Sequence, residues 1–221
     1  MSLLNGLDEN VKGLRIVFFL EEKITGDIFS FVTNIKNVFG IIFPEDPQIL
    51  HSDPNAPVEI PRVIFQKAEG ASLIITGDKL EFRTGLKDGR RALEDARTLS
   101  TLLDISCKKS KKPVNRIGIN IETYSNDNTD TALRQVVCFD DYKNSSEKSI
   151  FWVENHEYRG LALNVCSTIY FNSMNEINNQ ILIDVNTAID SKLSKKEIDC
   201  DEAINLIIDV IGGRLKNAFN E

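Results

Sequence analysis

The residues best placed to do chemistry in this chain are few. In ENHEYRG, Glu154 to Gly160, one histidine stands between two glutamates, with a tyrosine and an arginine following. A His–Glu pair can hold and pass a proton. The segment falls, however, where a turn between two strands is expected, and a solvated hairpin tip accounts for it. No G-x-S-x-G elbow or second nearby histidine accompanies it. In CFDDY, Asp140 and Asp141 are adjacent carboxylates. On a strand they face opposite sides and cannot share a metal without a turn. Asp184 lies out of phase with Ile183 and Val185, on the solvent side of its expected strand.

The stretch RVIFQKAEGASLIITGDKLEFR, Arg62 to Arg83, admits three readings. A phosphate loop fails because Gly70 and Gly77 flank a strand and no Gly-Lys-Ser/Thr element opens a helix. A nuclease strand fails because Asp78 precedes Glu81-Phe82-Arg83 by only three residues, inside a turn. What remains is an antiparallel meander with two tight turns.

Metal and cofactor chemistry find no framework. The histidines are His51 and His156 alone. The cysteines Cys107, Cys138, Cys166 and Cys200 are widely spaced with no C-x-x-C, which reads as reduced core thiols of a cytoplasmic protein. No metal site and no cofactor are expected.

Charge is uneven. Ten basic and four acidic residues lie between Arg83 and Arg116, a local +6 that leaves −13 on the rest of a chain whose net charge is −7. Arg90, Arg91 and Arg97 fall on an expected helix that ends at Lys108, Lys109, Lys111 and Lys112. These seven form the candidate partner-binding surface. Cations at a helix C-terminus also complement its dipole, a structural reason for the lysines. A protein partner is favoured over nucleic acid, because the acidic remainder repels a long duplex. The tyrosines and Trp152 do not interleave with the basic segment, so no stacking platform for single strands is expected.

The elements that must position these residues follow from periodicity. LRIVFFL (14–20) reads as a strand. GDIFSFVTNIKNVFG reads as an amphipathic helix through Ile28, Phe31, Val32, Ile35, Val38 and Phe39. The segment 44–61 holds five of the six prolines and reads as a loop. After the meander comes a helix with Leu93, Ala96, Ser100, Leu103 and Cys107 on one face. NRIGINIETY, RQVVCFD, SIFWVEN, RGLALNVCSTIYF and NNQILIDVNTAID read as five strands. A closing helix carries Ile204, Ile207, Ile208, Ile211, Leu215 and Phe219, with Asp199 and Glu202 as an acidic capping box and Gly212-Gly213 as a bend. The order β-α-β-β-β-α-β-β-β-β-β-α predicts an α+β fold, mainly antiparallel, with the helices packed on one face of the sheet. One domain over 1–221 is expected, with halves at 1–112 and 113–221. A β-α-β-β…α motif recurs loosely between them without a sequence repeat. No run is long and apolar enough to span a bilayer, and the N-terminus lacks a signal peptide's basic region.

Pro61-Arg62, the Gly70 turn, Leu73, Ile75, GDKLEF and NRIG (115–118) together resemble a sporadically distributed, uncharacterised bacterial family. Ile183-Asp184 and the terminal Phe219 extend the resemblance over about residues 14 to 219, while INIETY after NRIG departs from the family pattern. The resemblance implies a bacterial cytoplasmic protein, an accessory gene product of the kind found in phage-defence or toxin–antitoxin loci. It carries no site residues.

Two functional classes stand. The first is a non-catalytic interaction protein, a homo-oligomer or accessory subunit of a multiprotein complex, with edge strands as its working surface. The alternative is a metal-dependent nuclease or hydrolase drawing on Asp78, Glu81, Asp140, Asp141 and Asp184.

Overall fold

The computed structural model describes residues 11–24, 28–51, 53, 55–67, 70–84, 92–125, 148–171, 179–188, 193 and 199–217. The elements run β1 (Val11–Leu20), α1 (Ile28–Phe39), β2 (Gln48–Ile49), β3 (Val63–Gln66), β4 (Ser72–Ile75), β5 (Lys79–Thr84), α2 (Ala92–Lys109), β6 (Val114–Ser125), β7 (Lys148–Tyr158), β8 (Leu161–Phe171), β9 (Asn179–Thr187) and α3 (Cys200–Asn217). The expected α+β architecture is present. Nine antiparallel strands form one sheet in the order β2-β3-β4-β5-β1-β6-β9-β8-β7. The short β2, inside the proline-rich segment, is an addition to the expected order. The expected strand RQVVCFD, with Cys138, Asp140 and Asp141, lies outside the described residues.

That strand order contains a repeat that composition does not reveal. In the first half β1 is followed by a meander whose last strand, β5, returns to pair with β1, and then by α2. In the second half β6 is followed by the meander β7-β8-β9, whose last strand pairs with β6, and then by α3. The halves meet at the β1–β6 ladder, centred near Ile16↔Ile119. Outward from that seam β1-β5-β4-β3 and β6-β9-β8-β7 follow the same order.

Alternation sorts every strand into two faces. Leu14, Ile16, Phe18, Leu80, Phe82, Ile117, Ile119, Ile121, Ile183 and Val185 point to one side and are buried. The helices cover this side: α2 lies against β1 and β6, α3 against β6 and β9, and α1 beside α2. The helical stripes are those the periodicity predicts. Ala96, Ser100, Leu103 and Cys107 of α2 and Ile204, Ile207, Ile208 and Ile211 of α3 are buried. Phe43 plugs the space under α1, its ring about 6 Å from those of Phe39, Phe65 and Phe82. No helix among the described residues is long and apolar enough to cross a membrane.

Two local features differ from expectation. Helix α3 continues through Gly212-Gly213 to Asn217. Gly212 lies where a Cβ would stand 3.2 Å from Leu93 Cδ1, so it lets α2 and α3 approach closely. At the start of α3, Asp199 Oδ1 accepts the Glu202 N–H at 2.8 Å as the capping rule requires, but the Glu202 carboxylate instead accepts from Arg159 Nη1 at 2.8 Å.

Arg62 explains the Pro-Arg pair. It is almost fully buried, donates to the carbonyls of Ile24 and Ala56, and its backbone joins Leu50, His51 and Ile75. The proline-rich segment is thereby pinned against the Gly77 turn, whose N–H donates to Val58 O at 2.7 Å. A Cβ on Gly77 would meet the Val58 Cα at 3.0 Å and Arg62 Nη2 at 3.2 Å, whereas one on Gly213 meets nothing within 4 Å. Gly77→Ala should therefore cost about 1–3 kcal/mol through overpacking. Gly213→Ala should gain about 1 kcal/mol from helix propensity. Urea unfolding of both variants checks the opposite signs.

Candidate functional site

The face of the sheet opposite the helices carries the polar side chains. On β1 the outward residues are Gly13, Arg15, Val17 and Phe19. On β5 they are Lys79, Glu81 and Arg83, on β6 Arg116, Gly118, Asn120 and Glu122, and on β9 Gln180, Leu182, Asp184 and Asn186. Register aligns them in rows. One row runs Ser72, Arg83, Arg15, Asn120, Asp184, Cys166, Val153. The next runs Ile74, Glu81, Val17, Gly118, Asn186, Asn164, Asn155.

Glu81 is the centre of the first half's polar cluster. Its side chain is only 2% exposed, yet it is ionised because three cations converge on it. Arg15 donates from Nε at 2.8 Å and from Nη2 at 3.1 Å, Arg83 Nε forms a further ion pair, and Lys79 Nζ stands at 3.4 Å. Burial alone would raise the carboxyl's pKa. The hydrogen bonds and charges of Arg15 and Arg83 overcome it and hold the group down at about 2. Asp184 occupies the equivalent place in the second half, opposite Asn120 as Glu81 is opposite Val17. Its pKa moves the other way, upward, because desolvation outweighs the charges of Arg15 and Arg116 and the hydrogen bond from Asn186.

Small hollows open between these side chains. One of about 340 Å³ is lined by Gly13, Arg15, Arg83, Asn120 and Glu122, and one of about 100 Å³ by Arg15, Phe19, Arg116, Gly118, Asp184 and Asn186. Arg116 stacks on Phe19 at 4.6 Å. Gln180 donates to Glu122 at 2.6 Å. Glu81 with its cations and Glu122 with Gln180 are two bonded groups on this face, while the buried Arg116 Nε has no hydrogen-bond partner.

The carboxylates read as a metal cluster do not assemble among the described residues. Glu81 and Asp184 are separated by the widths of β1 and β6, three strand spacings or about 14 Å. Asp78 is in the Gly77 turn, accepting from Thr76, and no group of three or more His, Cys, Asp or Glu side chains is placed to hold a metal among the described residues. ENHEY belongs to β7, and the turn is the two residues Arg159-Gly160. His156 and Glu154 stand side by side there at 3.4 Å, both partly exposed.

The basic candidates divide. Arg90 and Arg91 lie outside the described residues. Arg97 pairs with Asp209 of α3 at 2.5 Å. Lys108 pairs at 2.5 Å with the buried Asp104, whose hydrogen bond raises the lysine's pKa. Lys112 reaches the Lys23 carbonyl at 3.2 Å and Glu22 at 3.9 Å. Lys111 is the left-handed residue after α2, with φ 52°, and the Lys112 N–H closes onto Cys107 O at 2.9 Å. Lys109 is an exposed lysine of the last turn of α2. Lys108, Lys111 and Lys112 border a hollow of about 410 Å³ with Asp104, Cys107 and Cys200. Burial pushes the Cys107 thiol up to about 12 and raises Cys200 as well, so neither is a nucleophile at neutral pH.

Sequence reasoning missed Arg15, hidden in an apolar run. Its signal was an arginine in phase with Val17 and Phe19, out of phase with Leu14 and Ile16. No protein-family model matches this chain, and no curated protein does.

Glu81 and Asp184 have opposite linkage to pH. Glu81 binds its proton less readily folded than unfolded. Its stabilisation is full above about pH 4.5 and is lost as pH falls toward 2, an effect on the order of 3 kcal/mol. Glu81→Gln should lower stability at pH 7 and flatten the acid limb between those values. Asp184 binds its proton more readily folded, so it stabilises increasingly as pH falls through its raised value, and Asp184→Asn should raise stability at pH 7. Guanidinium titrations at pH 3 and pH 7 read both signs.

Proposed function

We propose that this protein is a non-catalytic interaction module that self-associates through a sheet edge and serves as a subunit of a larger assembly. The observation that carries it is the inequality of the two edges. β2 is two residues long and sits among the prolines, the protection natural sheets give an edge that must stay single. β7 is eleven residues long, has no proline, and exposes Phe151 at 63% and Val153 at 49%. A long apolar edge is a template for another strand.

The resemblance to a sporadically distributed bacterial family supports an accessory role of the phage-defence or toxin–antitoxin kind. Lys109 and Lys111, without an acidic partner among the described residues, are where an acidic protein surface would add to the assembly. A cytoplasmic location accords with the reduced cysteines.

Multi-angle light scattering tests the reading. The chain is expected as a dimer or higher species at about 100 μM, well above a Kd near 1 μM. Phe151→Glu/Val153→Glu should shift it to monomer with at least a tenfold weaker Kd and an unchanged circular dichroism spectrum. A parent chain monomeric at that concentration would sink it.

A further inference from the structure

The geometry of β7 says how a second strand would have to lie. β7 and β8 are joined by Arg159-Gly160, both left-handed at φ 46° and 74°, the two-residue turn that matches strand twist. Such a turn is closed by a hydrogen-bonded pair, here Tyr158↔Leu161. The register then runs without a slip to Lys148↔Phe171. Alternation turns the backbone groups of Tyr158, His156, Glu154 and Trp152 toward β8. Those of Glu157, Asn155, Val153 and Phe151 point outward, unpaired among the described strands. An antiparallel copy must therefore set odd-numbered residues opposite odd-numbered ones.

Side chains choose among the registers this allows. Centring on Glu154 faces two carboxylates. Centring on Val153 faces Trp152 with Glu154. Centring on Asn155 faces Val153 with Glu157. Centring on Trp152 faces Phe151 with Val153 twice, covering the two most exposed apolar side chains of the strand. It also places two indoles across the axis. Apolar and aromatic cross-strand pairs stabilise, and like charges directly opposite do the reverse.

We infer that a second copy of this chain adds to β7 antiparallel with the two-fold axis at Trp152, joining two nine-stranded sheets into one. The inference rests on the self-association proposed above and specifies its geometry. Lys148 to His156 of each chain pair, and Ser149 faces Asn155. At Trp152 the pair is non-hydrogen-bonded with Cα atoms about 4.5 Å apart, inside the range a disulfide spans. Because Trp152 is the chain's one tryptophan, its fluorescence reports the axis directly.

Cysteine crosslinking under mild oxidation, with the parent chain as control for the native thiols, tests the register. Trp152→Cys should give a covalent dimer, and Asn155→Cys should not. Ser149→Cys/Asn155→Cys, which keeps the tryptophan, should also crosslink between chains. In the parent, tryptophan emission should shift on dilution, and the amides of Phe151, Val153 and Asn155 should gain exchange protection with concentration. Crosslinking by Asn155→Cys alone overturns this register and leaves self-association standing, as does a dimer in which no variant crosslinks. A monomer whose three amides are protected at every concentration overturns both.

Discussion

The ladder between β1 and β6 is the interaction on which the rest of the molecule depends. Its strands are about a hundred residues apart in sequence, and each is the first strand of its half. Without the pairing, each half would be a meander with an open edge, covered by two helices in the first half and one in the second. With it, Ile16 and Ile119 meet at the centre of a continuous core, and α2 and α3 lie side by side over the seam. The ladder also fixes which residues face outward. A slip of one residue in β1 would turn Arg15 into the core and Ile16 out of it. The polar network on the open face is therefore a consequence of the seam's register.

That dependence separates what was legible in the sequence from what was not. The helical stripes of α1, α2 and α3 are periodic within a single segment, so periodicity found them. The turns at Gly70 and Gly77 announce themselves by local residue type. Arg15 and Glu81 are a different matter. Their ion pair joins residues far apart in the chain, and the local phase that sets the face of each gives no sign of its partner. Arg62 belongs to the same class: it was visible as part of a Pro-Arg pair, but its burial comes from the carbonyls of Ile24 and Ala56, contributed by separate loops. The turn after β7 is shorter than the polarity of ENHEY suggests, because these polar residues continue the strand to Tyr158. A strand outside the reach of the helices needs no apolar face, so β7 can be polar along its last residues and still be a strand.

The basic segment shows the same limit for charge. Along the sequence it is a run of +6 on an acidic background. In three dimensions carboxylates from the run itself and from the rest of the chain meet its described cations. Arg97 meets Asp209, Lys108 meets Asp104, and Lys112 meets Glu22. Lys108 has become structural, since removing it would leave Asp104 buried and unpaired. Lys111 carries a backbone role at the end of α2 as well as a charge. Three of the run's described cations are therefore held in pairs within the molecule, and among the described candidates its capacity to attract a partner narrows to Lys109 and Lys111.

A common argument favours the edge over the open face as the working surface. On the face, much of the demand for hydrogen bonds is met internally: Arg15 and Arg83 by Glu81, and Glu122 by Gln180, while Arg116 stacks on the Phe19 ring with its buried Nε unbonded. A partner docking there would have to break as many contacts as it made, and polar groups exchanged one for one contribute little. At β7 the outward N–H and C=O groups of alternate residues bond to no described strand, and they stand beside Phe151 and Val153. Pairing there displaces no bond to a described strand, adds a ladder of backbone hydrogen bonds, and removes apolar surface in the same step. The free energy available from pairing is therefore larger at the edge than on the face, which is the physical ground for the self-association proposed above.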